Sequence, residues 1–141
     1  MRVVKLIAIA LGIYLALVVA FESLVGVMGA RHANRGVQPG ESWLVIKTTD
    51  ADGNTNDTVV AGVESGGQLY VAANHWPRGW YNQAVKNPDV EITRGGEKTA
   101  RRAVPVAGEE RVRIARDYTM PWALRFLTGF PPRSFLRLDP R

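Results

Sequence analysis

Hydrophobic and polar positions divide the chain into two parts with different patterns. From Leu6 to Phe21 no residue is charged, and apolar character resumes from Leu24 to Ala30 after the single interruption Glu22-Ser23. As one helix, this stretch would be roughly 38 Å long at about 1.5 Å per residue, which exceeds a hydrocarbon core of about 30 Å. The pattern predicts one N-terminal transmembrane helix, and residues 1–30 are assigned as a membrane anchor.

A cleaved signal peptide is the alternative interpretation of the same stretch. Arg2 and Lys5 would form its basic region, and the small residues of Val27–Ala30 would suit cleavage. A retained anchor is favoured because the apolar run is longer than the 7–15 residues usual for a signal peptide. Arg31 and Arg35 nearly balance the basic residues at the other end, so the flanking charges do not fix the orientation in the membrane.

After a polar linker over residues 31–42, the pattern changes to short runs of β-branched and aromatic residues separated by turns. The connections between the first three runs are too short for parallel crossovers, so they predict an antiparallel meander. The predicted strands are Trp43–Thr49, Thr58–Glu64, Gln68–Ala73, Val90–Thr93, Lys98–Pro105 and Ser134–Leu138, and the predicted short helices are Trp80–Asn87, Glu109–Asp117 and Pro121–Leu127. The fold class is mainly β: residues 43–141 form a small antiparallel barrel with a few short helices.

The first predicted turn, Asp50–Asp57, is rich in Asp, Asn and Gly. Its alternating oxygens resemble a calcium loop, but flanking helices and a glutamate at the twelfth position are missing. A plain hairpin turn is favoured.

Composition removes several kinds of chemistry. The chain has no cysteine and two histidines, which excludes disulfides, thiolate sites and a His-rich metal centre. The net charge of +5 is uneven: residues 94–141 hold eleven basic and five acidic side chains. This basic region suits an anionic membrane surface, an anionic cofactor or plain solvation. No basic recognition helix or aromatic RNA-binding motif is present, so a nucleic-acid partner is not predicted.

The densest group of chemically active side chains is the segment Asn74–Asn82, which contains a His, an Arg, two Trp and a Tyr between a strand and a helix. Trp76, Trp80 and Tyr81 offer faces for a flat conjugated ligand, and Arg78 offers an anion contact. Trp80 by itself is better explained as a core anchor of the helix. The segment as a whole is interpreted as a binding loop.

Several motifs resemble, in order and spacing, the deazaflavin-dependent nitroreductase and quinone reductase family. They are Leu44–Thr49, the Gly66-Gly67 turn, Val71–Asn74, Trp80-Tyr81-Asn82 and Lys86–Val90. The resemblance covers Trp43–Thr93 well and the rest only in layout. It implies a split β-barrel, a possible homodimer, and hydride transfer from a reduced deazaflavin, or FMN in relatives, to quinones or nitroaromatic compounds.

The resemblance also implies a set of site residues. The cofactor would be bound by Lys47, Thr48, Thr49, Asn74, Trp76, Arg78, Trp80 and Asn82. Donors to the reduced acceptor would come from Tyr81, Tyr118 and His75. No metal site is predicted.

The chain departs from the family where members carry a Gly-Arg-Lys-Ser/Thr-Gly turn that holds the phosphate and acidic tail of the deazaflavin. Here Asp50–Asp57 has three Asp and no cationic residue, which would repel that tail. The tail would then lie along Arg78, Arg101 or Arg102, or the cofactor would be FMN, or the cofactor site would have been lost.

Two functions follow. The first is a single-pass membrane-anchored reductase with a cytoplasmic domain, acting on quinones that reside in the bilayer. The alternative is a non-catalytic cofactor-binding or structural barrel tethered to the membrane.

Overall fold

The computed structural model describes residues 2–35, 43–74, 79–118, 121–130 and 132–141. In chain order the elements are α1 (Arg2–Arg35), β1 (Trp43–Thr49), β2 (Thr55–Ser65), β3 (Gln68–Ala73), α2 (Gly79–Lys86), β4 (Asp89–Arg94), β5 (Glu97–Pro105), α3 (Gly108–Asp117), α4 (Trp122–Leu127) and β6 (Ser134–Pro140).

The six strands form a closed barrel in the order β1-β2-β3-β6-β5-β4, and every neighbouring pair is antiparallel. Two tight hairpins pair β1 with β2 and β2 with β3, which confirms the predicted meander. The last strand, β6, lies between β3 and β5, and β1 pairs with β4 to complete the ring. The predicted mainly β antiparallel barrel is confirmed.

Alternate residues of the strands point into the barrel and form its main core. One end of this core is covered by α2, whose Ala84 is fully buried among the strand residues. A second core lies outside the barrel, where α3 packs against β3 and β6. The buried members of this second core are Tyr70, Ala72, Val106, Ile114 and Phe135.

The hairpin between β1 and β2 is held by Asp50. Its Oδ1 accepts hydrogen bonds from the backbone N–H groups of Asp52 at 3.0 Å and Asn54 at 2.9 Å. Gly53 has φ 85°, a left-handed conformation that glycine adopts without a steric penalty. The plain hairpin is therefore confirmed, although β2 begins at Thr55 and not at Thr58 because the ladder to β1 extends to the pair Thr49–Thr55.

Helix α1 has 34 residues and is about 51 Å long. It continues through Arg35 into the segment assigned as the polar linker, because residues 31–35 contain no helix breaker before Gly36. Val3–Leu24 is long and apolar enough to cross a membrane, with mean hydropathy 2.6, and none of it is buried inside the protein. On one face, α1 contacts β2 and α4.

Candidate functional site

Strand pairing brings one predicted site residue, Asn74, and one residue that was not predicted, Arg133, to the same rim of the barrel. Ala73, the last residue of β3, pairs with Ser134, the first residue of β6. Asn74 and Arg133 are the residues just beyond this pair, so both lie at the same rim. Tyr118 caps the C-terminal end of α3, and its backbone N–H donates to the carbonyl of Ile114 at 2.8 Å.

Asn74 and Tyr118 are in direct contact. The Asn74 Nδ2 donates a hydrogen bond to the Tyr118 hydroxyl oxygen at 2.7 Å. Asn74 is only 6% exposed, and its Oδ1 is buried without a hydrogen-bond partner among the described residues. A buried carbonyl oxygen without a partner carries a free-energy cost of about 1–3 kcal/mol. The pair therefore presents an unused acceptor on Asn74, while the Tyr118 proton remains available for donation.

Arg133 reinforces the Tyr118 end of this pair. Its NH1 donates to the Tyr118 backbone carbonyl at 2.9 Å, and its guanidinium carbon lies 5.9 Å from the centre of the Tyr118 ring. Burial raises the pKa of the Tyr118 hydroxyl, although the Asn74 hydrogen bond and the Arg133 charge oppose the rise. Tyr118 is therefore a neutral phenol at physiological pH, able to donate a hydrogen bond.

The α2 residues of the predicted binding loop lie against the main core. Trp80 and Tyr81 are half-buried there, with ring centres 6.0 Å apart in an edge-to-face arrangement. This agrees with the interpretation of Trp80 as a core anchor. Asn82, on the same helix, is exposed.

The three predicted residues at the end of β1 have different surroundings. Thr48 is fully buried, and its hydroxyl donates to the Gln83 Oε1 at 2.7 Å, which ties β1 to α2. Lys47 lies 3.4 Å from the Glu91 carboxylate, and Lys98 lies 3.5 Å from the same oxygen. The Lys47 hydrogen bond lowers the pKa of Glu91. Thr49 is half-buried at the end of the strand.

His75, Trp76 and Arg78 lie outside the described residues, so their predicted roles stay predictions. Of the alternative contacts for an acidic tail, Arg102 is exposed, whereas the Nε of Arg101 is buried without a described partner. Arg101 lines a cavity of about 190 Å³ together with Leu69, Ile92, Arg94, Glu97 and Thr99. This cavity does not include Asn74 or Tyr118.

Sequence reasoning missed Arg133 and Gln83. Arg133 precedes β6 in an irregular segment, and its place beside Tyr118 depends on the pairing of β3 with β6. Gln83 has an ordinary position in an amphipathic helix, and no local signal marks it as the partner of Thr48.

The fold is a small closed β-barrel whose rim holds the hydrogen-bonded pair Asn74 and Tyr118. The sequence matches the F420H(2)-dependent quinone reductase family over residues 24–124. The chain belongs to this family, and it is therefore an oxidoreductase of the flavin and deazaflavin type, as the motif resemblance implied. No curated protein matches it.

Solved structures with the same fold are distant in sequence. An F420-H2 dependent reductase, FDR-A, is 22% identical with a TM-score of 0.56, and the match covers 74% of this chain and all of that one. An FMN-binding protein from Nostoc punctiforme, related to pyridoxamine 5'-phosphate oxidase, is 16% identical with a TM-score of 0.54 and 70% coverage of each chain. HutZ, the heme storage protein from Vibrio cholerae, is 17% identical with a TM-score of 0.53, covering 72% of this chain and 83% of that one. At these identities the likeness concerns the fold.

Proposed function

We propose that this protein reduces quinones with a reduced deazaflavin or flavin bound at the rim that holds Asn74 and Tyr118. The observation that carries the proposal is the 2.7 Å hydrogen bond between these residues, beside a buried Asn74 Oδ1 that has no described partner. Family membership supports a quinone as the acceptor, and the motif resemblance adds nitroaromatic compounds as further candidates. The bound cofactor would supply hydride to the acceptor.

The residues at this rim fit the polar edge of such a cofactor or acceptor. Flavins and deazaflavins carry an N–H donor flanked by carbonyl acceptors, and quinones carry carbonyl acceptors only. The Asn74 Oδ1 can accept from a ring N–H, while the Tyr118 hydroxyl can donate to a carbonyl. Filling the vacant acceptor would remove the cost of leaving it buried and unpaired.

Tyr118 has the properties needed on the acceptor side. A quinone that gains hydride develops negative charge on oxygen, and a positioned donor lowers the barrier to that step. The Tyr118 O–H donates to this oxygen, Asn74 fixes the phenol by its own hydrogen bond, and Arg133 places a cation beside the ring. Hydride and one proton together convert the quinone to the hydroquinone, and water at the rim would supply that proton. Tyr81 and His75 stay alternative donors in this proposal.

The acidic hairpin bears on the choice of cofactor. The Asp50 carboxylate is occupied by backbone N–H groups of its own turn, but Asp52 and Asp57 are exposed. A deazaflavin with an acidic tail would meet two exposed negative charges there, whereas FMN ends in a single phosphate. The Asn74 and Tyr118 side chains suit the polar edge of either ring. The acidic hairpin does not suit an acidic tail.

We further propose that α1 holds the barrel at a membrane, with the barrel on the cytoplasmic side, where reduced cofactors are made. The support is Val3–Leu24, an apolar stretch with mean hydropathy 2.6 in which no residue is fully buried. Attachment to the membrane would raise the effective concentration of a lipid-soluble quinone near the site. A solved relative described as a domain-swapped dimer supports a homodimer as the assembled form.

The experiment is reduction of menadione by the full-length protein, supplied in turn with reduced deazaflavin coenzyme and reduced FMN. The rate without protein is subtracted, because reduced flavins react with quinones unaided. Turnover above that rate with either cofactor supports the proposal and identifies the cofactor. Saturable binding without turnover would instead support a non-catalytic barrel, and neither binding nor turnover would contradict both.

A further inference from the structure

An exposed group of aromatic side chains lies on α4 and the turn after it. Trp122, Phe126 and Phe130, named here the aromatic cluster, are 70%, 39% and 47% exposed. The rings of Trp122 and Phe126 are stacked with centres 5.5 Å apart, and Phe130 meets Phe126 edge-on at 6.2 Å. Contiguous exposed apolar surface of this kind marks an interaction site.

The backbone at Phe130 is held in an unfavourable conformation. Phe130 has φ 52°, and it is the only non-glycine residue with positive φ among the described parts of the chain. The turn is closed by a hydrogen bond from the Phe130 N–H to the Arg125 carbonyl at 2.9 Å. A bulky residue in this region carries a conformational cost. Because Phe130 is half exposed, burial within the chain offsets little of that cost.

Helix α1 contacts the aromatic cluster directly. The Tyr14 hydroxyl donates to the Phe126 carbonyl at 3.1 Å, and the two rings lie 4.8 Å apart. One turn further along, Val18 lies so close to Gly129 that a Cβ there would be 3.1 Å from the Val18 Cγ1. From Tyr14 onward, one face of α1 is therefore packed on the rest of the protein.

This contact sets how much of α1 is free to enter a bilayer. The free part, Val3–Ile13, is roughly 16 Å long at about 1.5 Å per residue, near half of a hydrocarbon core of about 30 Å. Burial of all of Val3–Leu24 in the bilayer, with the Tyr14–Phe126 contact kept, would take Arg125 to the middle of the membrane. A charged side chain at that depth is costly.

We propose that the aromatic cluster and Val3–Ile13 form one lipid-contacting surface that inserts into a single leaflet of an anionic membrane. Trp and Tyr side chains favour the headgroup level, which is where this arrangement places Trp122 and Tyr14. Arg125 lies 5.9 Å from the Phe130 ring and would meet lipid phosphates. The excess of eleven basic over five acidic residues in 94–141 favours anionic lipid. Lys5 reaches the headgroups from the tip of α1 if the helix enters obliquely.

This inference rests on the membrane association proposed above and not on the redox chemistry. The test uses the full-length protein, without cofactor, in vesicles of phosphatidylglycerol and phosphatidylcholine. The phosphatidylcholine is brominated at either a shallow or a deep acyl carbon, and bromine quenches nearby tryptophan. The difference in quenching between the unaltered protein and Trp122→Phe is the part that comes from Trp122. Comparing this difference for shallow and deep bromines gives the depth of Trp122. Trp43→Phe is the control for an exposed tryptophan outside the proposed surface, because Trp43 is 50% exposed but belongs to β1 and not to the aromatic cluster.

We expect Trp122→Phe to remove most of the quenching by shallow bromines, while Trp43→Phe leaves it unchanged. Stronger quenching of Trp122 by deep bromines would overturn insertion into one leaflet. If the protein binds the vesicles but Trp122 is not quenched, the proposed lipid contact is overturned. The aromatic cluster would then face water or a second copy of the chain. If the protein does not bind the vesicles at all, the membrane association itself is wrong, and the proposed redox function is untouched.

A second variant separates lipid contact from a role in folding. Phe130→Gly removes the ring and also the cost of positive φ. We expect it to lower the fraction bound to vesicles several-fold without lowering the denaturation midpoint. Unchanged vesicle binding would count against Phe130 as part of the surface.

Discussion

The Thr48 hydroxyl donates to the Gln83 Oε1 over 2.7 Å, and this single bond joins the end of β1 to the helix that covers the barrel. Thr48 is fully buried, whereas Gln83 is half-buried, so the Thr48 hydroxyl cannot turn to water if Gln83 is removed. The resemblance implied a cofactor contact for Thr48. Its position makes it a residue that fixes α2, which carries Trp80 and Tyr81.

Thr48→Val should therefore destabilise the fold. It conserves shape but leaves the Gln83 Oε1 without its donor, and we expect a loss of about 1–3 kcal/mol in the free energy of unfolding. Chemical denaturation measures this loss. Gln83→Leu and the double variant complete a double-mutant cycle. If the double variant loses as much free energy of unfolding as the two single variants together, the hydrogen bond contributes nothing.

Tyr118→Phe should lower the turnover number for quinone reduction by about 10- to 100-fold, because it removes a donor to the developing oxyanion. Cofactor affinity should change much less, since the Asn74 amide remains. Tyr70→Phe is the matched control, because Tyr70 belongs to the second core, against which Tyr118 also packs. Its hydroxyl donates to Glu110 at 2.9 Å. Equal losses of turnover in the two variants would mean that the effect comes from altered packing.

Stability should fall in acid through Glu110. The hydrogen bond from Arg137, whose NH1 lies 2.9 Å from the Glu110 Oε1, holds the pKa of Glu110 below its ordinary value of 4.5. The pKa of this carboxyl group is lower in the folded than in the unfolded protein. At pH values above the unfolded-state pKa the group stabilises the fold. This stabilisation is lost as the pH falls to the folded-state pKa and below it. The free energy of unfolding should thus be insensitive to Glu110 between pH 7 and about 5 and fall below that range.

Glu110→Gln isolates this contribution. The variant should be less stable at neutral pH and should show a shallower loss of stability in acid, measured by denaturation at a series of pH values. Glu109→Gln is the control, because Glu109 is the exposed neighbour on the same helix turn. An acid dependence that is the same in Glu110→Gln as in the unaltered protein would rule Glu110 out as its source.

Reversing the charge of the hairpin should change cofactor affinity in a way that depends on the cofactor. Asp52→Lys with Asp57→Lys should tighten binding of a deazaflavin with an acidic tail by several-fold at low salt, and the gain should shrink as salt rises. FMN affinity should change little. Fluorescence titration of both cofactors measures this, with Glu109→Lys, a charge reversal of half that size on α3, as the control. If the affinity for the deazaflavin does not rise, its acidic tail does not lie at this hairpin, and Arg101 becomes the residue to test.

Local patterns were sufficient to predict most of the elements. β3 was predicted to the residue, since Gly66 and Gly67 both have positive φ and mark the turn before it. The contact between Asn74 and Tyr118 could not be predicted in this way. These residues are 44 positions apart, and they meet only because β6 inserts beside β3 and α3 packs over both strands. Motif resemblance marked both as site residues without indicating that they touch.

The insertion of β6 between β3 and β5 also constrains the order in which the molecule can be completed. During synthesis the other five strands emerge before β6, so β3 and β5 each present an open edge until the last strand arrives. Open edges pair readily with other chains. The pair Tyr70–Arg137 closes a loop of more than sixty residues, which is slow compared with hairpin formation. A nascent chain that has reached α4 is therefore at its most prone to aggregate, and chaperone or membrane contact at that moment would protect it most.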